Sequence, residues 1–497
     1  EEKENQLFNL VDLFFSDLEC NIDLSPLRGL SYGKLERLTV RKSMFNEDMN
    51  PMDLTPLKYF SKNLLYLAWP TFLGMMLQTL YNIVDTVWIG RYSSLGVAAI
   101  SMVFPVFFII IAFGSGISIG TSSLVARYLG ANKKKEADNV AEHSIIIALF
   151  FGIIITIIGV LFAAPLFRLL GATQEIFQMT LIYAKIIFLG SVFIFLNMML
   201  SAVLRAEGDT KTPTKILLFT TIINLVLDPF LIFGLAGLPE MGVAGAAIIT
   251  VFAQMISVVL LFWHILAKRS EIRLNIRDFK FDFSIMWKTL AIGIPSSISN
   301  MFTSLGVMFL MKNVSIFGSY AIAAYGIGIR MDAIAIMPAI ALTTAVLTMV
   351  GQNIGAKKPH RAEKTAWVAV FLISVFMLFI GLLFFIAPEL WIRVFTDDPE
   401  IIKIGYWYFR IISLSYLFRG FQFIMNGAFQ GSGKVAMPTI VNISAWFVFA
   451  VPLAYIFSIK LGFGLIGIWT AILISSIYAG FANMFLFARG YWKGANP

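Results

Sequence analysis

Charge is scarce in this chain: Asp, Glu, Lys and Arg make up 13% of its 497 residues, and hydrophobic residues 58%. A soluble globular domain carries about 25% charged residues, so a water-soluble fold is excluded. Cysteine is nearly missing too, and a lone Cys20 rules out an internal disulfide framework. The three histidines, His143, His264 and His360, are scattered without metal-ligand spacing. No phosphate-cradling loop is present. The nearest match, Gly431-Ser432-Gly433-Lys434-Val435, lacks both the earlier glycine and the hydroxyl after the lysine that such a loop needs. Gly114, Gly116 and Gly120 lie inside an apolar run and read as helix packing. Without a nucleophilic dyad or a clustered acid–base set, a membrane-embedded enzyme is not supported, and no cofactor is expected.

What the chain has instead is length of apolar sequence. Twelve blocks reach the roughly twenty residues that cross a hydrocarbon layer, at about 64–89, 95–126, 143–166, 181–204, 213–234, 243–267, 286–311, 320–350, 365–388, 404–430, 438–458 and 464–488. Their continuous Phe, Ile and Leu content predicts helices rather than the alternating strands of an outer-membrane barrel. The expected fold is all-α and polytopic.

The net charge of +9 is distributed by side. Connections after the second, fourth, sixth and eighth blocks carry Arg127 and Lys133 to Lys135, Arg205 and Lys211, Lys268, Arg269, Arg273, Arg277 and Lys280, then Lys357, Lys358, Arg361 and Lys364. Positive loops stay in the cytoplasm, which places both termini inside a cell membrane and accounts for the basic residues without nucleic acid. Residues 1–57 hold no spanning run. Leu7, Leu10, Val11, Phe14 and Leu18 recur at helical spacing, so an amphipathic cytoplasmic helix and a disordered tail are both compatible with this segment.

An internal repeat emerges when residue n is set against n+225: Pro70 meets Pro295, Gly130-Ala131 meets Gly355-Ala356, Tyr183 meets Tyr408, Gly208 meets Gly433 and Pro213-Thr214 meets Pro438-Thr439. Each copy holds six spans, so the copies are parallel and related by a pseudo-two-fold axis along the membrane normal. The domains read as a tail at 1–57, an N-lobe at 58–267, a basic linker at 268–285 and a C-lobe at 286–497. Gly130 and Gly355 are expected to be left-handed caps, and Gly208 and Gly433 to close their helices similarly.

The copies disagree at their most costly residues. Asp85 faces Leu310, while Asn224 and Asp228 face Phe449 and Leu453. A carboxylate at membrane depth costs about 2.5–3.5 kcal/mol on insertion scales and marks function by default. Asn224 and Asp228, four apart, share a helix face, and Pro229 frees the carbonyl of Leu225 by donating no amide. This oxygen-rich set fits Na⁺ ligation or a shared proton, and residue chemistry does not choose between them. Gln78, Tyr81 and Asn82 upstream of Asp85, with Asn197 and Ser201 in the fourth span, are candidate substrate contacts. Pro70 and Pro229 are candidate conformational points. In the second half, Arg330 and Asp332 are two apart and point away from each other.

Val350-Gly351-Gln352-Asn353-Ile354-Gly355-Ala356, its weaker copy Val125-Ala126-Arg127-Tyr128-Leu129-Gly130-Ala131, and Gly208-Asp209-Thr210-Lys211-Thr212-Pro213 carry a resemblance to the multidrug and toxic compound extrusion family. It spans about residues 58–490. The resemblance implies an antiporter that exports amphipathic, often cationic compounds in exchange for H⁺ or Na⁺, and it aligns Asp85, Asn224 and Asp228 with the prokaryotic branch that carries acids on helices 1 and 5; a monomer is expected, though residue chemistry leaves the oligomeric state open. A lipid-linked precursor flippase on the same scaffold is the alternative. Such a protein needs a basic cleft, for which Arg330 is the one clear residue.

Overall fold

The computed structural model describes residues 55–275 and 279–493. Most of the N-terminal tail, with Cys20 and the proposed amphipathic positions, lies outside the described residues, as does Arg277. Among the described residues the first lobe comprises α1 (Thr55–Tyr92), α2 (Ser94–Gly130), α3 (Lys134–Leu169), α4 (Gln174–Leu189), α5 (Ser191–Ala206), α6 (Lys211–Phe233) and α7 (Val243–Leu266). The second comprises α8 (Phe283–Ser315), α9 (Ser319–Gly355), α10 (Pro359–Ile386), the short α11 (Pro388–Arg393), α12 (Pro399–Ile412), α13 (Tyr416–Ser432), α14 (Ala436–Ser444), α15 (Val451–Tyr455) and α16 (Gly464–Ala488).

Nine spans among the described residues are long and apolar enough to cross a bilayer, one of them the continuous stretch Ala436–Lys460, and α4 with α5 form a tenth, bent by 45°. The bend sits at Gly190, where a β-carbon would collide with Val251 of α7. The remaining two expected spans are α1 and the α12–α13 pair, joined by a 3₁₀ turn at Ser413–Ser415. These are the spans that hold Asp85 and Arg419. Large apolar side chains such as Leu161, Phe162, Phe379 and Val448 stay on the outer surface, the pattern that lipid contact requires.

The repeat is physical as well as textual. Ser94 and Ser319, Lys134 and Pro359, Gln174 and Pro399, and Lys211 and Ala436 open helices in pairs 225 residues apart. Even a side-chain bond is duplicated. Thr214 donates to the carbonyl of Pro70 at 2.9 Å, and Thr439 donates to that of Pro295 at 3.3 Å.

The first helix begins at Thr55, earlier than the boundary read from composition. The linker is not a free tether. Glu207 accepts from the Ser270 hydroxyl at 2.7 Å and the Glu271 amide at 2.9 Å. Asp138 and Glu142 accept from the Arg273 and Asn275 amides at 2.8 and 2.7 Å. Acidic side chains of the N-lobe therefore hold the backbone of this basic strand.

Gly130 and Gly355 are not the left-handed caps expected of them. That conformation falls two residues later, at Asn132 (φ 60°) and Lys357 (φ 59°). Gly208 and Gly433 do have positive φ, 97° and 78°. The reason for Gly130 and Gly355 is crowding: a β-carbon at Gly130 would collide with the Gln352 carbonyl oxygen, and one at Gly355 with that of Arg127. Gly116 is pressed against Ser297, and Gly120 against the Thr289 carbonyl, in the same way.

These are contacts between lobes, and the lobes' mutual hydrogen bonds follow the same line. Ser297 donates to the Phe113 carbonyl (2.7 Å), Asn300 to Ser115 (3.0 Å), Ser123 to the Gln430 carbonyl (2.5 Å), Thr348 to that of Arg205 (3.0 Å) and Gln352 to that of Ala206 (2.9 Å). All lie between the middle of the bundle and the end bearing the basic loops, so the lobes are sealed at that end. A β-carbon facing backbone has no rotamer to relieve it. Gly355→Ala is expected to lower stability by about 1–3 kcal/mol, read as a reduced thermal midpoint in detergent. Gly326→Ala in the same helix, where a β-carbon would meet nothing within 4 Å, should leave the midpoint unchanged.

Candidate functional site

α1 and α6 lie side by side in the N-lobe, and each delivers an acid from the part of its helix farthest from the basic loops. Asp85 is 6% exposed, Asn224 1% and Asp228 0%. The two carboxylates are near enough to interact electrostatically, and both act on the hydroxyls of Tyr81 and Tyr183. Tyr81 stands one helical turn before Asp85, so the two share a face. Its hydroxyl pairs with Thr250 of α7 at 2.7 Å and receives the Asn224 amide at 3.4 Å. Side chains of α1, α6 and α7 thus meet in one buried polar chamber, with Tyr183 of α4 beside it.

The carboxylates themselves are short of partners. Asp85 Oδ1 and both oxygens of Asp228 are buried with no hydrogen bond among the described residues. A buried polar group without a partner is costly, and a buried unpaired charge far more so. Pro229, inside α6, adds a backbone oxygen that lacks its usual helical donor. Such a cluster of acceptors is completed by something that donates or ligates: a proton or a hard cation.

The other sequence-selected residues divide. Gln78 is half-buried, while Asn82 is exposed. The inward face of α1 is therefore marked by Tyr81 and Asp85, and Asn82 does not share it. A helix side chain three positions from a buried residue is not bound to be buried with it. Asn197 donates to Gln254 at 2.5 Å and accepts from Ser201 and Ser257, both at 3.3 Å. These bonds knit α5 to α7. Pro70 lies inside α1 as expected.

Sequence gives no sign of Thr250, Gln254 and Ser257, because a lone Thr, Gln or Ser in an apolar helix carries no spacing signal, and it marks Tyr183 only as a repeat position. The second lobe held a larger surprise. Arg330 is exposed, whereas Asp332 is 6% exposed and accepts from Tyr416 at 2.7 Å, Tyr408 at 3.0 Å and Arg419 at 2.9 Å. Arg419 went unremarked because its partner lies 87 residues away in the chain.

At the places of Asp85, Asn224 and Asp228 the C-lobe is apolar. Leu310 is fully buried, and Phe449 stacks on Tyr478 at 4.2 Å between ring centroids. Trp446 lies so close to Gly306 that a β-carbon there would collide with its indole. Tyr81 and Thr221 occupy the matching N-lobe positions, so a large residue and a small one have traded helices.

Comparison with known proteins agrees with this architecture. The MatE family model matches residues 70–230 and 295–456, one stretch in each lobe. A model described as lipid II flippase MurJ matches residues 189–317. A probable multidrug resistance protein NorM from Thermotoga maritima is 30% identical over 435 residues, covering 87% of this chain and 93% of that protein. An FAD transporter from Shewanella oneidensis is 28% identical over 436 residues, covering 86% of this chain and 94% of its own. Among solved structures, a MOP superfamily transporter from Pyrococcus furiosus, described as having a binding pocket of reverse polarity that suggests a different function, superposes with a TM-score of 0.82. It is 29% identical, over 88% of this chain and 96% of that one. With matched stretches in both halves and a helical membrane fold common to its solved relatives, the chain belongs to the MatE family, the multidrug and toxic compound extrusion transporters.

Proposed function

We propose that this protein is a secondary antiporter of the cell membrane that exports amphipathic organic compounds in exchange for H⁺ or Na⁺, with Asp85, Asn224 and Asp228 as the coupling site. One observation carries the reading: three carboxylate oxygens of Asp85 and Asp228 are buried with no hydrogen-bond partner among the described residues. In a membrane interior that arrangement is stable only when a proton or cation occupies it, and release of the ion makes it unstable. Ion occupancy is thereby tied to the geometry of α1 and α6. Relatives named as multidrug resistance and multidrug export proteins support export of small molecules, and one relative is named as an FAD transporter.

The cycle follows from the packing. The lobes are sealed toward the basic loops, which are cytoplasmic by the charge rule, so this state opens outward. An ion entering from outside satisfies the acids, α1 shifts about Pro70, and substrate held against Tyr81, Gln78 and the Asn197–Ser201 face is released. Returning inward, the ion is exchanged for substrate. The flippase alternative has a partial match at residues 189–317, but the N-lobe chamber is acidic where a pyrophosphate head group requires bases.

In inverted vesicles loaded by a proton or sodium gradient, ethidium transport is expected to fall at least about tenfold in Asp85→Asn and in Asp228→Asn, a barrier of about 1.4 kcal/mol or more. Both proteins should retain their thermal midpoints, since neutralising an unpartnered buried acid removes no bond. Undiminished gradient-driven flux in both variants, or flux that requires ATP, disproves the reading. A second expectation is reciprocity: saturating ethidium weakens binding of the coupling ion by the same factor as the ion weakens ethidium. Titration calorimetry of purified protein in both orders of addition checks it.

A further inference from the structure

The C-lobe encloses a cavity of about 350 Å³ whose wall includes Tyr325, Asp332, Arg419, Phe423, Asn426 and Trp446. None of these residues takes part in the coupling chemistry above. α13 supplies a large part of the polar wall, with α8 adding Ser299, Asn300 and Thr303. Arg419, Gln422, Phe423, Asn426 and Gln430 fall at positions i, i+3, i+4, i+7 and i+11, one continuous face of a helix. In a membrane protein a polar stripe of this kind is not left to lipid. Here it faces the cavity.

Two features of the stripe ask for a ligand. Arg419 uses one terminal nitrogen on Asp332 at 2.9 Å, and no other hydrogen bond of its guanidinium is found among the described residues, although five N–H donors are available to an arginine. The edge it turns away from Asp332 is built for a carboxylate, which accepts two parallel N–H groups. Two helical turns further along, about 10 Å, Asn426 Oδ1 is buried with no partner among the described residues. A side-chain carbonyl in that position asks for an N–H or O–H. Between the two lie aromatic surfaces, with Phe423 on α13 and Tyr325 stacked on Trp469 across the cavity, centroids 5.4 Å apart.

The wall is also distorted where it borders this space. Ala445–Ala450 form a π-helical turn directly before Val451 and Pro452, and Ala445, Trp446 and Ala450 line the cavity. π turns are rare and concentrate at functional sites. The matching N-lobe stretch lies inside the regular helix α6.

We propose that the C-lobe cavity is a second ligand site that takes an organic monocarboxylate with an aromatic body and an N–H or O–H donor at its far end. The carboxylate pairs with the outer edge of Arg419, the ring lies against Phe423 and Tyr325, and the donor reaches Asn426. Asp332, held by two tyrosines, orients the guanidinium and keeps the empty cavity neutral. The site is independent of Asp85 and Asp228, and its test reads binding rather than flux, so failure here and failure of the coupling site are separable.

The probe is 4-aminohippurate, which carries a carboxylate and an aromatic amine at opposite ends, with its primary amide as the uncharged control. Titration calorimetry on the full chain in nanodiscs is expected to show saturable binding of the acid and at least about tenfold weaker binding of the amide. Asn426→Ala should weaken the acid several-fold. Arg419→Gln alone strands Asp332, so the pair Asp332→Asn with Arg419→Gln is used, and loss of binding with a retained thermal midpoint is expected. Asp85→Asn and Asp228→Asn should bind the acid as the unaltered protein does. No saturable binding of 4-aminohippurate, equal binding of acid and amide, unchanged binding in the paired variant, or loss of binding in the two N-lobe variants would each overturn the proposal.

Discussion

A carboxylate buried in a membrane has three ways to persist: it is paired with a cation, it is protonated, or it binds an ion from solution. The two lobes divide these among themselves. Asp332 takes the first route, with Arg419 and two tyrosine hydroxyls around it. Among the described residues Asp85 Oδ1 and both oxygens of Asp228 find no hydrogen-bond partner, which leaves the second and third. The first lobe therefore holds a chamber whose stability changes with what occupies it, and the second holds one whose charge is settled by the protein.

The duplicated scaffold makes that division possible. The Thr214–Pro70 and Thr439–Pro295 bonds and the matched helix starts keep the backbones in register, so each lobe can be edited at single positions without moving its neighbours. Leu310 replaces an acid and is fully buried. Trp446 packs against Gly306 where the other copy has Thr221 and Tyr81 at the matching positions. The exchange of a Tyr and a Thr for a Gly and a Trp roughly conserves summed volume, which a packed core tolerates, whereas Leu310 and Phe449 put larger apolar groups where the first copy has polar ones.

Much of this was legible in the chain because membranes restrict the alternatives so severely. Long apolar runs admit helices, and a constant offset admits a repeat. Asp85 and Asp228 were legible as costly exceptions inside those runs. What escaped reading depended on long-range pairing. Arg419 meets Asp332 across a fold in the chain, and Gln254 meets Asn197 between separate helices; neither pair has a spacing. Gly130 and Gly355 were read from local chemistry as caps, whereas the lobe interface dictates them. A helix end and a crowded crossing both favour glycine, and sequence alone does not separate them.

The seal between the lobes and the ion chamber are mechanically connected through α1 and α2. The chamber's acid sits near one end of α1, and the adjoining α2 carries Gly116, Gly120 and Gly130 into the other lobe. Contacts of glycine against backbone hold two helices at one distance: a small separation removes their dispersion energy, and a small approach is forbidden. Such an interface is either closed or open, with little between. In the proposed cycle, a proton or sodium ion that shifts α1 within the N-lobe by a modest amount acts beside a junction that does not yield gradually. On that proposal the physical basis for alternating access is the pairing of a polar cluster whose favoured shape depends on one small ion with a close-packed lobe contact of the kind that switches rather than deforms.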